Sequence, residues 1–260
     1  MKTTRVGLVT KEWPPQVYGG AGVHAVQLTQ ALRELAGVSV DVHCFGGVRE
    51  DGAFGYSTPA SFADANPAVQ AIATDLEIAN NLQNVNVIHS HTWYANMAGH
   101  FGSLLHGIPH VITAHSLEPL RPWKADQLGG GYQISSWAEK SAYESADAII
   151  AVSDGMRADV LAAYPNVDPA KVVTIRNGVD VDRFKPTTDT ALLAELGITN
   201  RYAIFVGRIT RQKGLAHLLR AWQNVPAEYG LVLAAGSPDE ETIGNEVKGL
   251  IEELQKTRSK

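Results

Sequence analysis

The chain has 260 residues, 45% of them hydrophobic and 19% charged, with 22 Lys+Arg against 27 Asp+Glu for a formal net charge of -5. That apolar content supplies a core for one large or two modest globular domains, and the acidic balance removes the electrostatic reason to expect a nucleic-acid partner. A single cysteine excludes an internal disulfide, and no leader-like or membrane-length apolar run is visible, so the sequence predicts a soluble cytoplasmic protein with no membrane partner.

In chain order, the strand-like run RVGLVT leads through EWPPQVYGGAGVH into AGVHAVQLTQALRELA, where Leu28, Leu32 and Leu35 recur at helical spacing. VSVDVHCF reads as a second strand, with Cys44 packed inside it as a small hydrophobe. VNVIHS, PHVITA, DAIIAV and KVVTI are further β-rich runs, separated mostly by segments of helical composition. Such alternation predicts an α/β fold, a doubly wound parallel sheet covered by helices on both faces. LEPLRPWKADQLGGGYQISSW, rich in Pro, Gly and Trp, reads as a long loop, either a substrate-gripping flap or a surface insertion. After NGVDVDRFKPTTDT the pattern restarts: YAIFVG as a strand, GLAHLLRAWQNV as a helix, YGLVLAAG as a strand, and a helix from Asp239.

We therefore expect a complete domain at residues 1–184, and at 185–260 a linker (Lys185 to Asp189) with the first part of a second domain. Two strands and two helices cannot cover both faces of a parallel sheet, which reads as a fragment of a longer protein.

In a doubly wound sheet, ligands bind at the carboxyl ends of the strands. FVG followed by Arg208 places a guanidinium there, and Lys213 is expected to begin the next helix, whose positive end suits an anion. The pair is either a diphosphate site that needs no bound metal or two solvated surface charges. Gly19, Gly20 and Gly22 form a backbone-exposing loop before the first helix, either an anion cradle or a simple turn; it is not a G-x-G-x-x-G fingerprint. HSHTWYAN and TAHS put His91 and His115 at strand ends on that same edge. Without an accompanying ligand motif, the histidines point to hydrogen bonding with a polyhydroxy ligand rather than to a metal, with a structural role open for His89 and His91. Trp93 or Tyr94 is placed to stack on a sugar face. Neither a G-x-S-x-G elbow nor a G-x-x-x-x-G-K-[ST] loop is present, so neither serine-hydrolase chemistry nor nucleotide hydrolysis is supported.

The ordered set V-G-R-x-x-x-x-K-G, the early glycine pair, T-A-H-S, S-A-D-A-I-I-A-V-S and R-N-G-V-D resembles the retaining GT-B glycosyltransferases of the glycogen synthase-like superfamily. The string EPLRPWKADQLGGGY is similar to its actinobacterial-type glycogen synthase branch, the α-maltose-1-phosphate synthases. The resemblance implies a GT-B fold of two Rossmann-like domains, the first on the acceptor side and the second binding the donor. By position, it makes Arg208 and Lys213 the pair on the donor diphosphate, Gly19 and Gly20 the loop meeting it from the first domain, and Asn177 a hinge residue reaching the donor. His115 becomes the histidine at the reacting centre, and Glu12, His91 and Trp93 fall on the acceptor side. The lysine that precedes the glycine pair in starch synthases is Tyr18 here, and no E-x7-E glutamate pair for the donor sugar occurs before Lys260.

The activity so implied is cofactor- and metal-independent transfer of glucose from a nucleotide sugar, ADP-glucose, to an α-1,4-glucan or glucose 1-phosphate, with the 260-residue chain inactive alone. A preorganised donor contributes about 3–4 kcal/mol to such a transition state, so two cations supply about 6–8 kcal/mol. That approaches ~8 kcal/mol, the lower edge of enzymatic acceleration, and leaves work for other groups. Two alternatives stand beside this reading: a nucleotide-sugar 2-epimerase of the same fold, and a non-catalytic sugar-binding fragment.

Overall fold

The computed structural model describes residues 3–122 and 124–257. By internal packing the chain divides into two compact units, Met1–Val179 and Asp180–Lys260.

The first unit is built on β1 (Thr4–Thr10), β2 (Val38–Phe45), β3 (Phe54–Tyr56), β4 (Val87–His91), β5 (His110–Ala114), β6 (Ala148–Ala151) and β7 (Val172–Thr174). These form one parallel sheet in the order β3-β2-β1-β4-β5-β6-β7. The six β-rich runs all form strands, and β3 is an addition the sequence did not announce. It has only three residues, and its middle one is shaped by a close approach: a Cβ on Gly55 would lie 1.8 Å from the Gly47 carbonyl oxygen. Backbone proximity of that kind has no hydrophobic period to read.

Helices α1 (Gly20–Arg33), α2 (Pro67–Asn80), α3 (Trp93–His106), α4 (Lys124–Leu128), α5 (Gly131–Ser145) and α6 (Asp154–Ala163) connect the strands. Beneath α1 the sheet buries Val6, Leu8, Val40, Val42 and Cys44 with Ala25. Val9 and Ile88 pack with Ile78 and Leu82 and with Ala95 and Ala98 of α3. Met97, Ile112 and Ile149 continue the core beneath α5 and α6 with Ala138, Ala142 and Val160. Each fully buried Leu or Ile contributes about 1.5–3 kcal/mol, so these layers fix which edge the strand ends present.

Two local expectations are corrected. Leu28 and Leu32 pack against the core, but α1 stops at Arg33 and Leu35 is 55% exposed beyond its C-cap. The stretch after β5 is not one long loop: a 3-10 turn at Glu118–Leu120, α4 and the start of α5 occupy most of it. Gly129, at φ +53°, breaks the chain between the two helices. Trp123 lies outside the described residues.

The second unit holds α7 (Ala191–Glu195), β8 (Tyr202–Ile209), α8 (Leu215–Trp222), β9 (Gly230–Pro238) and α9 (Glu241–Thr257). β8 and β9 pair in parallel. Leu215, Leu219, Ile243, Val247 and Leu254 of the two longer helices pack on one face, with Phe205, Leu231 and Leu233. Tyr202, Ile204 and Val206, at alternate positions of β8, are exposed. Among the described residues, no helix is long and apolar enough to cross a membrane.

Candidate active site

Parallel strands end on one side, and their register decides which ends meet. Thr10 pairs with His91, and His91 with Thr113, so Lys11, His91 and His115 emerge side by side. α1 adds a fourth group, His24, in its second turn. The His24 ring centre lies 4.8 Å from that of His115 and 5.5 Å from that of His91. His91 Nδ1 and His115 Nε2 are 3.1 Å apart, and His89 Nε2 sits 2.7 Å from the Thr113 hydroxyl.

Burial dominates the electrostatics of this cluster. Desolvation pushes His115 down to about 3, with His24 and His89 adding to the shift. It takes His89 to about 4 and His91 well below the usual histidine range. His24 is lowered by desolvation as well, against a hydrogen bond with the Asn177 side chain that raises it. All four imidazoles are therefore neutral near pH 7, each with one donor and one acceptor nitrogen.

Three buried polar atoms here have no hydrogen-bond partner among the described residues: His24 Nε2, His91 Nε2 and Thr92 Oγ1. Leaving one such group unsatisfied costs about 1–3 kcal/mol, so three at one edge favour a ligand rich in hydroxyls. Thr92 is also the one non-glycine residue with positive φ among those described, at φ 66° and ψ 157° between β4 and α3. Conformations of that kind cluster at functional sites. One ring nitrogen from each of His24, His91 and His115 also lies within 4.8 Å of the others, a donor set that late first-row divalent metals accept. The sequence did not lead us to expect that geometry.

The glycine turn is already occupied. The Glu12 carboxylate accepts the Gly19 N–H at 2.6 Å and the Tyr18 N–H at 2.9 Å. It lies so close to α1 that a Cβ on Gly22 would be 2.6 Å from Glu12 Oε2, which is why that position is glycine. Glu12 thus serves the turn, and the Gly19 amide is committed to it; Gly20 has open space where a Cβ would lie. Trp93 is corrected too: at 3% exposure, stacked 4.1 Å from Tyr94, it has no face to offer a sugar.

After the His115 loop comes a buried pair of carboxyl groups, Glu118 and Glu139. Glu139 accepts the Glu118 N–H at 2.9 Å and the Tyr164 hydroxyl at 2.8 Å. Ser135 donates to Glu118 Oε2 at 2.9 Å, and Tyr132 donates to the Glu118 carbonyl at 2.8 Å. These bonds anchor Glu118 and the 3-10 turn that it opens, three residues after His115.

In the second unit Arg208 lies within β8, and its Nη1 donates to Asp239 at 3.1 and 3.3 Å. Lys213 does not open a helix as expected. It ends a 3-10 turn capped by the Thr210 hydroxyl, and Gly214, with φ +67°, separates it from α8. A Cβ on Gly207 would lie 4.0 Å from Lys213 Cδ, so the lysine stem folds toward the residue beside Arg208.

His24, Thr92 and Lys11 went unmarked in the sequence reading. A histidine one turn into the helix after a glycine loop was the available signal for His24; backbone strain at Thr92 has no sequence signature.

The imidazoles and unsatisfied polar atoms thus gather at the carboxyl edge of a parallel α/β sheet, the edge at which such folds carry their ligand sites. The model of Glycosyltransferase Family 4 matches residues 18–183, and the chain belongs to that family. It is 52% identical over 260 residues to the alpha-maltose-1-phosphate synthase of Mycolicibacterium smegmatis, covering 98% of this chain and 66% of the relative. The namesake from Mycobacterium tuberculosis is 49% identical with the same coverage, so the chain spans about 66% of the length of these curated relatives. Among solved structures, Anabaena Alr3699/HepE in complex with UDP-glucose superposes with a TM-score of 0.75 at 16% identity, covering 96% of this chain and 66% of that one. The catalytic domain of Starch Synthase IV from Arabidopsis thaliana, bound to ADP and acarbose, gives 0.72 at 16% identity, covering 98% and 72%. At such identities the likeness shows the fold, which is GT-B.

Proposed function

We propose that the chain carries the acceptor side and part of the donor side of a retaining glucosyltransferase of the α-maltose-1-phosphate synthase type. Its substrates are a nucleotide sugar, ADP-glucose, and an α-glucan or glucose 1-phosphate. The observation that carries this reading is the imidazole cluster, with two buried nitrogens that have no partner among the described residues, at the strand ends of a family 4 glycosyltransferase.

In the reaction the bond between the anomeric carbon and the diphosphate breaks, the acceptor oxygen bonds to that carbon, and the acceptor's hydroxyl proton is released. Negative charge builds on the departing diphosphate, and the role assigned to Arg208 and Lys213 is to hold it. Asp239 keeps the guanidinium oriented before the donor arrives. The neutral imidazoles suit the sugar side. His115 and His91 exchange hydrogen bonds with hydroxyls without placing a cation beside the carbon on which positive charge grows. Asn177, hydrogen-bonded to His24, is assigned to hold that ring and to meet the donor. Gly20, with open space beside it, remains the candidate of the glycine pair for a close backbone approach. The 260-residue chain turns over negligibly by itself on this reading.

The test uses protein extended to the length of the curated relatives. Arg208→Ala and Lys213→Ala are each expected to lower kcat at least about tenfold, a loss of ~1.4 kcal/mol or more of transition-state stabilisation. Full turnover in both variants overturns the assignment.

A further inference from the structure

The imidazoles at the strand ends come from three different elements. His91 ends β4, His115 follows the last residue of β5, and His24 belongs to α1. The rings of His91 and His115 are 5.4 Å apart at their centres, and one ring nitrogen from each of the three residues lies within 4.8 Å of the other two. No carboxylate joins the group among the described residues, and Glu12 is held at the glycine turn by the Tyr18 and Gly19 amides. His89 stands outside the set, because its Nε2 is tied to the Thr113 hydroxyl at 2.7 Å.

Hydrogen bonding within the cluster does not satisfy it. His91 Nδ1 and His115 Nε2 meet at 3.1 Å, but His24 Nε2 and His91 Nε2 are buried with no partner among the described residues. A tetrahedral zinc ion, with Zn–N bonds of about 2.0–2.1 Å, sets its nitrogens about 3.3–3.4 Å apart. The His91–His115 pair stands close to that spacing, and the third nitrogen needs to move by ~1.5 Å at most. His24 is half-buried, so rotation of its side chain supplies such a shift. Asn177 hydrogen-bonds the His24 ring, as the outer partners of metal-bound histidines do. Three imidazoles without an oxygen ligand select late first-row metals and reject hard cations such as magnesium.

We propose that His24, His91 and His115 bind one late first-row divalent cation, Zn2+ in the first place, and that the bound ion closes this edge to sugars. The regulatory half rests on the glycosyltransferase reading above; the metal site itself does not. The ion takes one lone pair from each ring, and each ring keeps its single proton on its other nitrogen. The nitrogens that exchange hydrogen bonds with sugar hydroxyls are then occupied, so the ion acts as an inhibitor and not as a cofactor of transfer.

Titration of the metal-free chain with Zn2+, Co2+ and Mg2+ tests the site, in wild type, His24→Gln, His115→Gln and His217→Gln. Wild type is expected to bind one Zn2+ with a Kd below about 10 μM, at least about tenfold tighter than Co2+, and to take up no Mg2+ below about 1 mM. Bound Co2+ should show the intense visible absorption of four-coordinate cobalt. His24→Gln and His115→Gln should each weaken Zn2+ binding at least about tenfold and abolish that spectrum, with unchanged far-UV circular dichroism. His217, exposed on α8 of the second unit, reports adventitious binding, and its variant should match wild type. Zn2+ binding that survives both cluster variants overturns the site. So does a six-coordinate Co2+ spectrum in wild type, a result that depends on no variant folding.

Turnover separates the two levels. In protein of the relatives' length, saturating Zn2+ is expected to slow ADP-glucose consumption at least about tenfold, with full recovery on adding EDTA. Zn2+ that binds at the cluster without slowing turnover overturns the regulatory half. Failure of metal-free protein to consume ADP-glucose sinks the transferase reading, and the titration still decides the site.

Discussion

Replacing Glu139 with glutamine separates charge from shape under the His115 loop. Burial raises the Glu139 carboxyl to about 8 from an ordinary value of 4.5; hydrogen bonds from Tyr164 and the Glu118 amide oppose this, and the Glu118 charge adds to it. Between those two values the native state keeps a proton that the unfolded chain releases, so this group lowers stability progressively as pH rises. By pH 7 the cost is on the order of 3 kcal/mol. Glutamine is neutral throughout and retains one oxygen for the Glu118 N–H or the Tyr164 hydroxyl, at the loss of about one hydrogen bond, ~1 kcal/mol. Glu139→Gln is therefore expected to be more stable than wild type by about 2 kcal/mol at pH 7 and nearly level with it at about pH 5. Urea unfolding across that range measures both. Parallel stability profiles for the two proteins would refute the reasoning, because a carboxylate already ionised in the native state gives no such slope.

Two further buried histidines act in the opposite sense. His43 and His110 are pushed down mainly by burial to about 4 and about 3, so each contributes stability that is fully present above ~6.5 and lost as pH falls toward those values. At about pH 5 each should have lost roughly 2 kcal/mol, read as an acid-side fall in urea midpoint that is absent if the rings are protonated in the native state. Thr92→Gly relieves a positive-φ threonine and is expected to raise stability by about 1 kcal/mol in urea unfolding; a decrease would mean the conformation carries no strain. Gly22→Ala drives a Cβ into Glu12 and is expected to cost about 1–3 kcal/mol, with an unchanged melt arguing that Glu12 does not hold the turn. Incubating full-length protein with ADP-glucose alone should leave the sugar's configuration unchanged by NMR; an epimerised sugar would favour the isomerase alternative.

The strands were legible because buried parallel strands are continuous apolar runs, and DAIIAV or VSVDVHCF has no other stable home. β3 was not, since three residues fitted around a glycine contact make no pattern. His91 and His115 could be placed on one edge from the strand ends alone, but the third imidazole comes from a helix, and its approach depends on how α1 packs. Trp93 misled for the same reason: composition marks an aromatic residue as a sugar platform, whereas packing against Ala68, Ala71 and Leu128 turns it into core. Glu12 was placed on the acceptor side by resemblance, and only the coordinates show its carboxylate bonded to the turn.

The central claim is that this edge handles the acceptor in glucosyl transfer from a nucleotide sugar. NMR of the products formed from ADP-glucose and glucose 1-phosphate tests it most directly, in protein of the relatives' length with His115→Ala beside it. The account predicts an α-linked disaccharide 1-phosphate and one ADP for each linkage formed, both reduced at least about tenfold in the variant. Release of free glucose with no new glycosidic bond, or undiminished synthesis by His115→Ala, would contradict it.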